Sequence, residues 1–134
     1  MKFSVKSEYA LRAMVELAIN YAKGSTQINE IAQRQNIPER YLEQILLLLK
    51  RAGLIESARG VHGGYSLNRL PRDISLSQIL VTTEGYTSVP VKNTFFPELW
   101  EDIKKELNNK LNSVTLQDMV DSILRHRKIL NYQI

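Results

Sequence analysis

None of the 134 residues is cysteine. Disulfides, thiolate zinc sites and cysteine-ligated iron-sulfur clusters are therefore excluded by composition alone. Histidine is scarce too: His62 and His126 lie far apart in the sequence, and no third ligand is apparent. A metal site is not expected from them. Long apolar runs are also missing. The longest wholly apolar stretch is residues 45–49, far short of the roughly 20 residues a membrane helix needs. The opening Met-Lys-Phe-Ser-Val-Lys-Ser-Glu-Tyr holds no apolar signal segment. A cytoplasmic protein with no membrane partner is the expectation. No internal repeat, low-complexity tract, nucleophile-base pair, phosphate-cradling loop or metal constellation can be named, so neither an enzyme nor a cofactor is expected.

Residues 54–68 read Leu-Ile-Glu-Ser-Ala-Arg-Gly-Val-His-Gly-Gly-Tyr-Ser-Leu-Asn, two short alternating runs around a glycine-rich turn. Ile55 with Ser57, and Tyr65 with Leu67, keep the period of two expected of strands. Gly60, Gly63 and Gly64 are expected to supply the positive φ angles of a tight hairpin. Arg59 would then stand at the shoulder of a protruding wing, where a guanidinium can enter a minor groove. His62 reads as a solvated wing residue or a phosphate contact.

Helical spacing predicts the rest. Ala10, Met14, Leu17, Ala18 and Tyr21 place a first helix over residues 7–23, stopped by Gly24. A second short helix follows Gln27 on the stripe Ile28, Ile31 and Ala32. The third, over residues 38–52, opens at Pro38 and is capped by Gly53. It carries Leu42, Ile45, Leu46 and Leu49 on one face, and Glu39, Arg40, Glu43, Gln44, Lys50 and Arg51 on the other. Leu47 and Leu48 are expected to pack against neighbouring helices. Two helices joined by a short turn and followed by a hairpin make a winged helix-turn-helix.

Beyond the wing, Ser75-Leu76-Ser77-Gln78 is a capping box opening a helix that ends near Gly85. Residues 86–94 are expected to form an exposed crossing loop. A helix follows over residues 96–109, with Trp100, Leu99, Ile103 and Leu107 expected in the core. A second capping box, Thr115-Leu116-Gln117-Asp118, opens the last helix, striped by Leu116, Met119, Val120, Ile123 and Leu124. That stripe is either monomer core or dimer seam. We read it as the seam, because the first three helices already fill one core in so small a chain. Arg125, His126, Arg127 and Lys128 sit where cations favour a helix C-terminus. The fold class expected is mainly α with a small β-wing: a DNA-binding domain over residues 1–85, then a linker loop and dimerisation helices over 86–134.

Charge agrees with this division. The net charge is +4, but residues 1–72 carry 11 Lys or Arg against 6 Asp or Glu, a balance of +5, and residues 73–134 carry 7 against 8, a balance of −1. The basic half is the half with the wing, as phosphate binding requires.

The opening Lys-Ser-Glu-Tyr-Ala-Leu-Arg-Ala-Met, the stretch from Ile31-Ala32 to Ile37, the block Tyr41-Leu42-Glu43-Gln44-Ile45, and above all Arg59-Gly60-Val61-His62-Gly63-Gly64-Tyr65 together resemble the Rrf2 family of bacterial transcription regulators, whose best-known type is the iron-sulfur cluster regulator. The resemblance implies a homodimer on a partly palindromic operator, the third helix in the major groove, the wing in the minor groove and a long C-terminal helix crossing its mate. It assigns Arg40, Tyr41, Glu43 and Gln44 to the major groove, and Arg59 with the wing glycines to the minor groove. Side-chain chemistry agrees: Gln44 can bond adenine edges, Glu43 can accept from cytosine, and Arg40 can reach guanine or phosphate, with Lys50 and Arg51 beside them.

One departure matters for mechanism. Cluster-binding members of the family hold three cysteines in the loop that here spans residues 86–94, which has neither thiolate nor imidazole. The expectation is a homodimeric, sequence-specific DNA-binding regulator, a repressor working without an iron-sulfur cluster, and controlled through a small-molecule or protein effector at that loop. The alternative is a winged-helix module that binds protein, with Leu47 and Leu48 in the contact, or a regulator controlled by a protein partner.

Overall fold

The structure is a computed structural model and describes residues 3–84 and 94–132, with side chains to residue 128. Helix α1 spans Val5–Ile19 and is opened by Ser4, whose Oγ accepts the Ser7 amide at 3.2 Å. The expected bounds of 7–23 shift toward the N-terminus because Ser4 supplies the cap. The distal part becomes a separate 3-10 turn, Tyr21–Lys23, closed by Gly24 at φ 92°. Helix α2, Ile28–Gln35, ends on Asn36 in the left-handed region at φ 53°. Helix α3, Glu39–Arg51, starts from Pro38 as its N-cap, and its C-cap is Ala52. Gly53, the expected cap, lies one residue beyond the observed one, at φ 78°. There the amides of Gly53 and Leu54 bond back to the carbonyls of Lys50 and Leu49. These two bonds make a Schellman motif, which needs a left-handed residue at that place.

Strands β1, Ile55–Ala58, and β2, Gly64–Leu67, pair antiparallel with Ile55 opposite Leu67 and Ser57 opposite Tyr65. Ile55 and Leu67 point inward and are buried. Helix α4, Leu76–Glu84, has the full capping box: Gln78 N donates to Ser75 Oγ at 3.1 Å, and Ser75 N to Gln78 Oε1 at 2.9 Å. Its expected end at Gly85, and all of the 86–94 loop except Thr94, lie outside the described residues. Helix α5 runs Pro97–Ser113, past the expected end at 109, because Leu111 continues the apolar row into a buried position. Helix α6 is Leu116–Tyr132, capped by the reciprocal pair Thr115 and Asp118 at 2.9 and 3.0 Å. The Thr115 amide, then its hydroxyl, hold the Asp118 carboxyl below its ordinary pKa.

The core contains Ala10, Met14 and Leu17 of α1, Ile31 of α2, Leu42, Ile45, Leu46 and Leu49 of α3, and Ile74 and Ile79 around the start of α4. Each of the Met, Leu and Ile side chains contributes roughly 1.5–3 kcal/mol by leaving water. Leu116 and Val120 of α6 belong to the same core, at 0% and 5% exposure. That corrects their expected place in a dimer seam: α6 starts beside α4, with the Leu116 amide on the Ile74 carbonyl and the Leu76 amide on that of Val114, each at 2.8 Å. The division expected at residue 85 does not divide the core. Met119 and Ile123 are half-buried against it, and Leu124 is exposed. A further correction concerns α5. Leu99 and Ile103 are exposed, while Trp100 and Leu107 are only half-buried, so this row is not core. The α5 helix packs against α4 and leaves Leu99 and Ile103 in water, while Leu107 and Leu111 turn inward.

Candidate nucleic-acid interface

The helix-turn-helix is held by a buried carboxylate. Glu16 on α1 accepts from Asn20 Nδ2 at 2.8 Å, Gln35 Nε2 at 3.1 Å and Arg34 at 3.3 Å, fastening the end of α2 to α1. Asn36 then turns the chain into α3, whose apolar face lies in the core. At about 100° per residue, the side opposite that face carries Arg40, Gln44, Leu47 and Arg51 in one stripe, all exposed. Leu47 is 47% exposed, so its expected packing against neighbouring helices is corrected. Leu48 is half-buried at the stripe's margin.

The other site residues of α3 lie to either side. Tyr41 is half-buried, its ring edge-on to Tyr9 with centroids 5.6 Å apart, so it buttresses the helix as well as bordering the stripe. Glu43 is exposed. Lys50 is exposed too, and its Nζ donates to Ser57 Oγ at 2.7 Å, tying α3 to strand β1.

Arg59, Gly60, Val61 and His62 form the exposed tip of the wing, with Val61 at 86%. The tip closes through the Gly63 amide on the Gly60 carbonyl at 3.0 Å. Gly60 and Gly64 have positive φ, 103° and 141°. Gly63 does not, which corrects the expectation for it. It must be glycine for another reason: a Cβ there would collide with the Ala58 carbonyl oxygen. Thr26, just before α2, pairs with Tyr65 through two backbone hydrogen bonds, so the wing is pinned to the helix-turn-helix.

A second polar cluster lies where α4 ends. Glu84 accepts from the Ser4 amide at 2.8 Å, from Ser4 Oγ at 2.6 Å and from Ser7 Oγ at 2.7 Å, while Ser7 and Thr83 hydroxyls also bond. The Ser4 and Ser7 hydroxyls, then the Ser4 amide, lower the Glu84 pKa to about 2. The carboxylate thus clamps the start of α1.

Among the described residues, no three His, Asp or Glu side chains gather into a metal site, and no helix is long and apolar enough to cross a membrane. Without thiolates the donor set does not fit an iron-sulfur cluster.

Comparison with known proteins agrees with this geometry. The Rrf2 family, described as "Iron-dependent Transcriptional regulator", matches residues 3–122. The chain belongs to the Rrf2 family. It is 41% identical over 123 residues to the helix-turn-helix transcriptional regulator CymR of Bacillus subtilis, covering 89% of each chain. The solved structure of CymR, the global cysteine regulator of B. subtilis, superimposes with a TM-score of 0.82, covering 91% of this chain and 98% of that one. The IscR of T. potens superimposes with a TM-score of 0.79 at 37% identity, covering 92% and 88%. As an Rrf2 protein with this winged fold, the chain is a DNA-binding transcriptional regulator, and it lacks the cysteines of cluster-binding members.

Several features of this surface differ from the sequence reading or escaped it. Leu47 was detectable from its place on one stripe with Arg40, Gln44 and Arg51. Thr26 carried no signal, since its contribution is a peptide group. The Glu84 clamp joins residues 80 positions apart in sequence, and no local pattern announces it.

Proposed function

We propose that this Rrf2 protein is a homodimeric repressor that binds a partly palindromic operator without a cluster. In this reading Arg40, Glu43 and Gln44 of α3 meet base edges in the major groove, with Tyr41, Lys50 and Arg51 at its phosphates, and Arg59 with Gly60 and His62 lies along the minor groove, on a turn shaped by the buried Gly63 and by Gly64. The observation that carries it is the pairing of an exposed polar stripe on α3 with a wing fixed to the same helix-turn-helix at Thr26–Tyr65 and Lys50–Ser57. Two DNA-reading elements are thereby held at one spacing. Occupation of a promoter by such a dimer would exclude polymerase sterically, which is why repression is preferred. The reading assigns binding and no catalytic step.

The dimer is supported by the second half of α6. Over residues 121–128 every residue except Ile123 is exposed, so this stretch of the helix has little cover from its own chain. Isolated helices of that length are marginal in water. A second copy, packed on Ile123 and Leu124, would supply the missing cover, with Met119 at the edge of the contact. An effector, small molecule or protein, would act at residues 86–94, next to the Glu84 clamp.

Selection of bound duplexes from genomic fragments, followed by fluorescence anisotropy across salt concentrations, tests the reading. A steep fall in affinity with salt, and a preference for one palindromic sequence over scrambled DNA, is expected. Equal affinity for all sequences would refute it.

A further inference from the structure

We propose that Leu47 is a base-reading residue of this protein, contacting the C5-methyl group of a thymine in the major groove. Leu47 stands at i+7 from Arg40, i+3 from Gln44 and i−4 from Arg51, in the middle of the outward stripe of α3. Nearly half of its surface is open to water, although the core side of the same helix buries Leu42, Ile45, Leu46 and Leu49. The open half of this apolar side chain gains nothing from its own chain. The thymine methyl is the one apolar group that the major groove presents, and no other base edge rewards a leucine.

The neighbours favour DNA over protein as the occupant. Guanidinium groups at Arg40 and Arg51 bracket Leu47 along the stripe, and the residues up to position 72 carry a net +5, from 11 cations against 6 anions. An apolar centre between cations fits a phosphate-lined groove with a methyl at its floor. Gln44 and Leu47 are three residues apart. At about 1.5 Å of rise per residue they are separated by about 4.5 Å along the helix, close to the base-pair step of about 3.4 Å. Neighbouring base pairs are therefore within reach of the two side chains. Gln44 suits adenine, and Leu47 suits a thymine beside it. A groove of about 250 Å³ between α3 and Lys6 of α1, lined by Tyr41, Gln44, Ile45, Leu47 and Leu48, adjoins this stripe.

The inference rests on the major-groove reading of α3, and the test separates the two. Duplexes selected by the wild-type protein from a random pool are resynthesised with uracil replacing each thymine, which deletes the methyl and nothing else. Parallel duplexes carry purines lacking the N7 acceptor, which reports any major-groove contact. The wild type should lose affinity about fourfold at one thymine per half-site, since one buried methyl is worth about 0.8 kcal/mol and about 1.4 kcal/mol is tenfold. Leu47→Ala should bind the thymine duplex weakly and show no further loss with uracil. Leu47→Gln, of similar volume, should behave likewise and guards against a packing effect.

Dependence on purine N7 without any dependence on thymine methyls would overturn the Leu47 assignment and leave α3 in the groove. The same holds if Leu47→Ala keeps the wild-type uracil penalty. Indifference to both modifications would overturn the major-groove reading with it, and would leave Leu47 free for a protein contact.

Discussion

The peptide groups of Thr26 and Tyr65 exchange two hydrogen bonds, each 2.8 Å, although the residues stand on opposite sides of the helix-turn-helix in sequence. This bridge sets where the wing points, and Gly64 permits it. At φ 141° a Cβ on Gly64 would come within 2.5 Å of the Thr26 carbonyl oxygen, and that neighbour is backbone. Gly64→Ala should therefore loosen the wing and cost about 1–3 kcal/mol of stability through strained backbone. Thermal unfolding measures the loss, and hydrogen exchange at the Thr26 and Tyr65 amides should rise. Wild-type protection in the variant would show that the bridge survives.

Arg59 stands on the exposed shoulder of that wing. Arg59→Ala should weaken operator binding by about 1–3 kcal/mol, the range of one good specific contact. Circular dichroism should be unchanged. Full affinity at physiological salt would remove Arg59 from the interface.

The Glu16 carboxylate is 5% exposed and serves three donors that belong to Asn20, Arg34 and Gln35. Glu16→Ala leaves those donors without their acceptor, at a cost of about 1–3 kcal/mol. Because the cluster orients α2, operator affinity should fall even at temperatures where the variant is folded. Unchanged melting would mean that water replaces the carboxylate fully.

At the start of α1, Glu84 has a pKa lowered from 4.5 to about 2 by the Ser4 and Ser7 hydroxyls and the Ser4 amide. A depressed carboxylate stabilises the fold fully above its ordinary pKa and ceases to do so as pH falls through the folded value. The melting temperature of the wild type should therefore exceed that of Glu84→Gln at neutral pH. The difference should shrink as pH falls from about 4.5 to about 2, and a pH-independent gap would assign the effect to packing.

The half-helix beyond Val120 makes the dimer testable. Leu124 is 46% exposed and leaves the chain's own core untouched, unlike Leu116 or Val120. Leu124→Asp should shift sedimentation from dimer to monomer and abolish tight operator binding, because two half-sites about one helical turn apart must be held by a rigid pair. A wild-type protein that sediments as a monomer at micromolar concentration would overturn the dimer.

Much of this protein was decided locally and could be read from the chain. The boxes at Ser75 and Thr115 close over three residues, so short-range hydrogen bonding fixes where α4 and α6 begin. The hairpin from Ile55 to Leu67 follows from alternation and glycine placement, and the missing thiolates rule out a cysteine-ligated cluster in any fold.

Tertiary packing decided what local periodicity leaves open. A stripe such as Leu116, Met119, Val120, Ile123 and Leu124 states that a face wants cover, but the spacing is the same whether the cover comes from α1 or from another chain. The structure gives Leu116 and Val120 to the chain's own core and leaves Leu124 in water, because Ser75 and Thr115 bring the starts of α4 and α6 together. The same applies to the Leu99 and Ile103 row, to Leu47, and to Thr26 with Gly64. In each case the outcome depends on which distant backbone comes near, and a pattern of side chains along one segment carries no record of that.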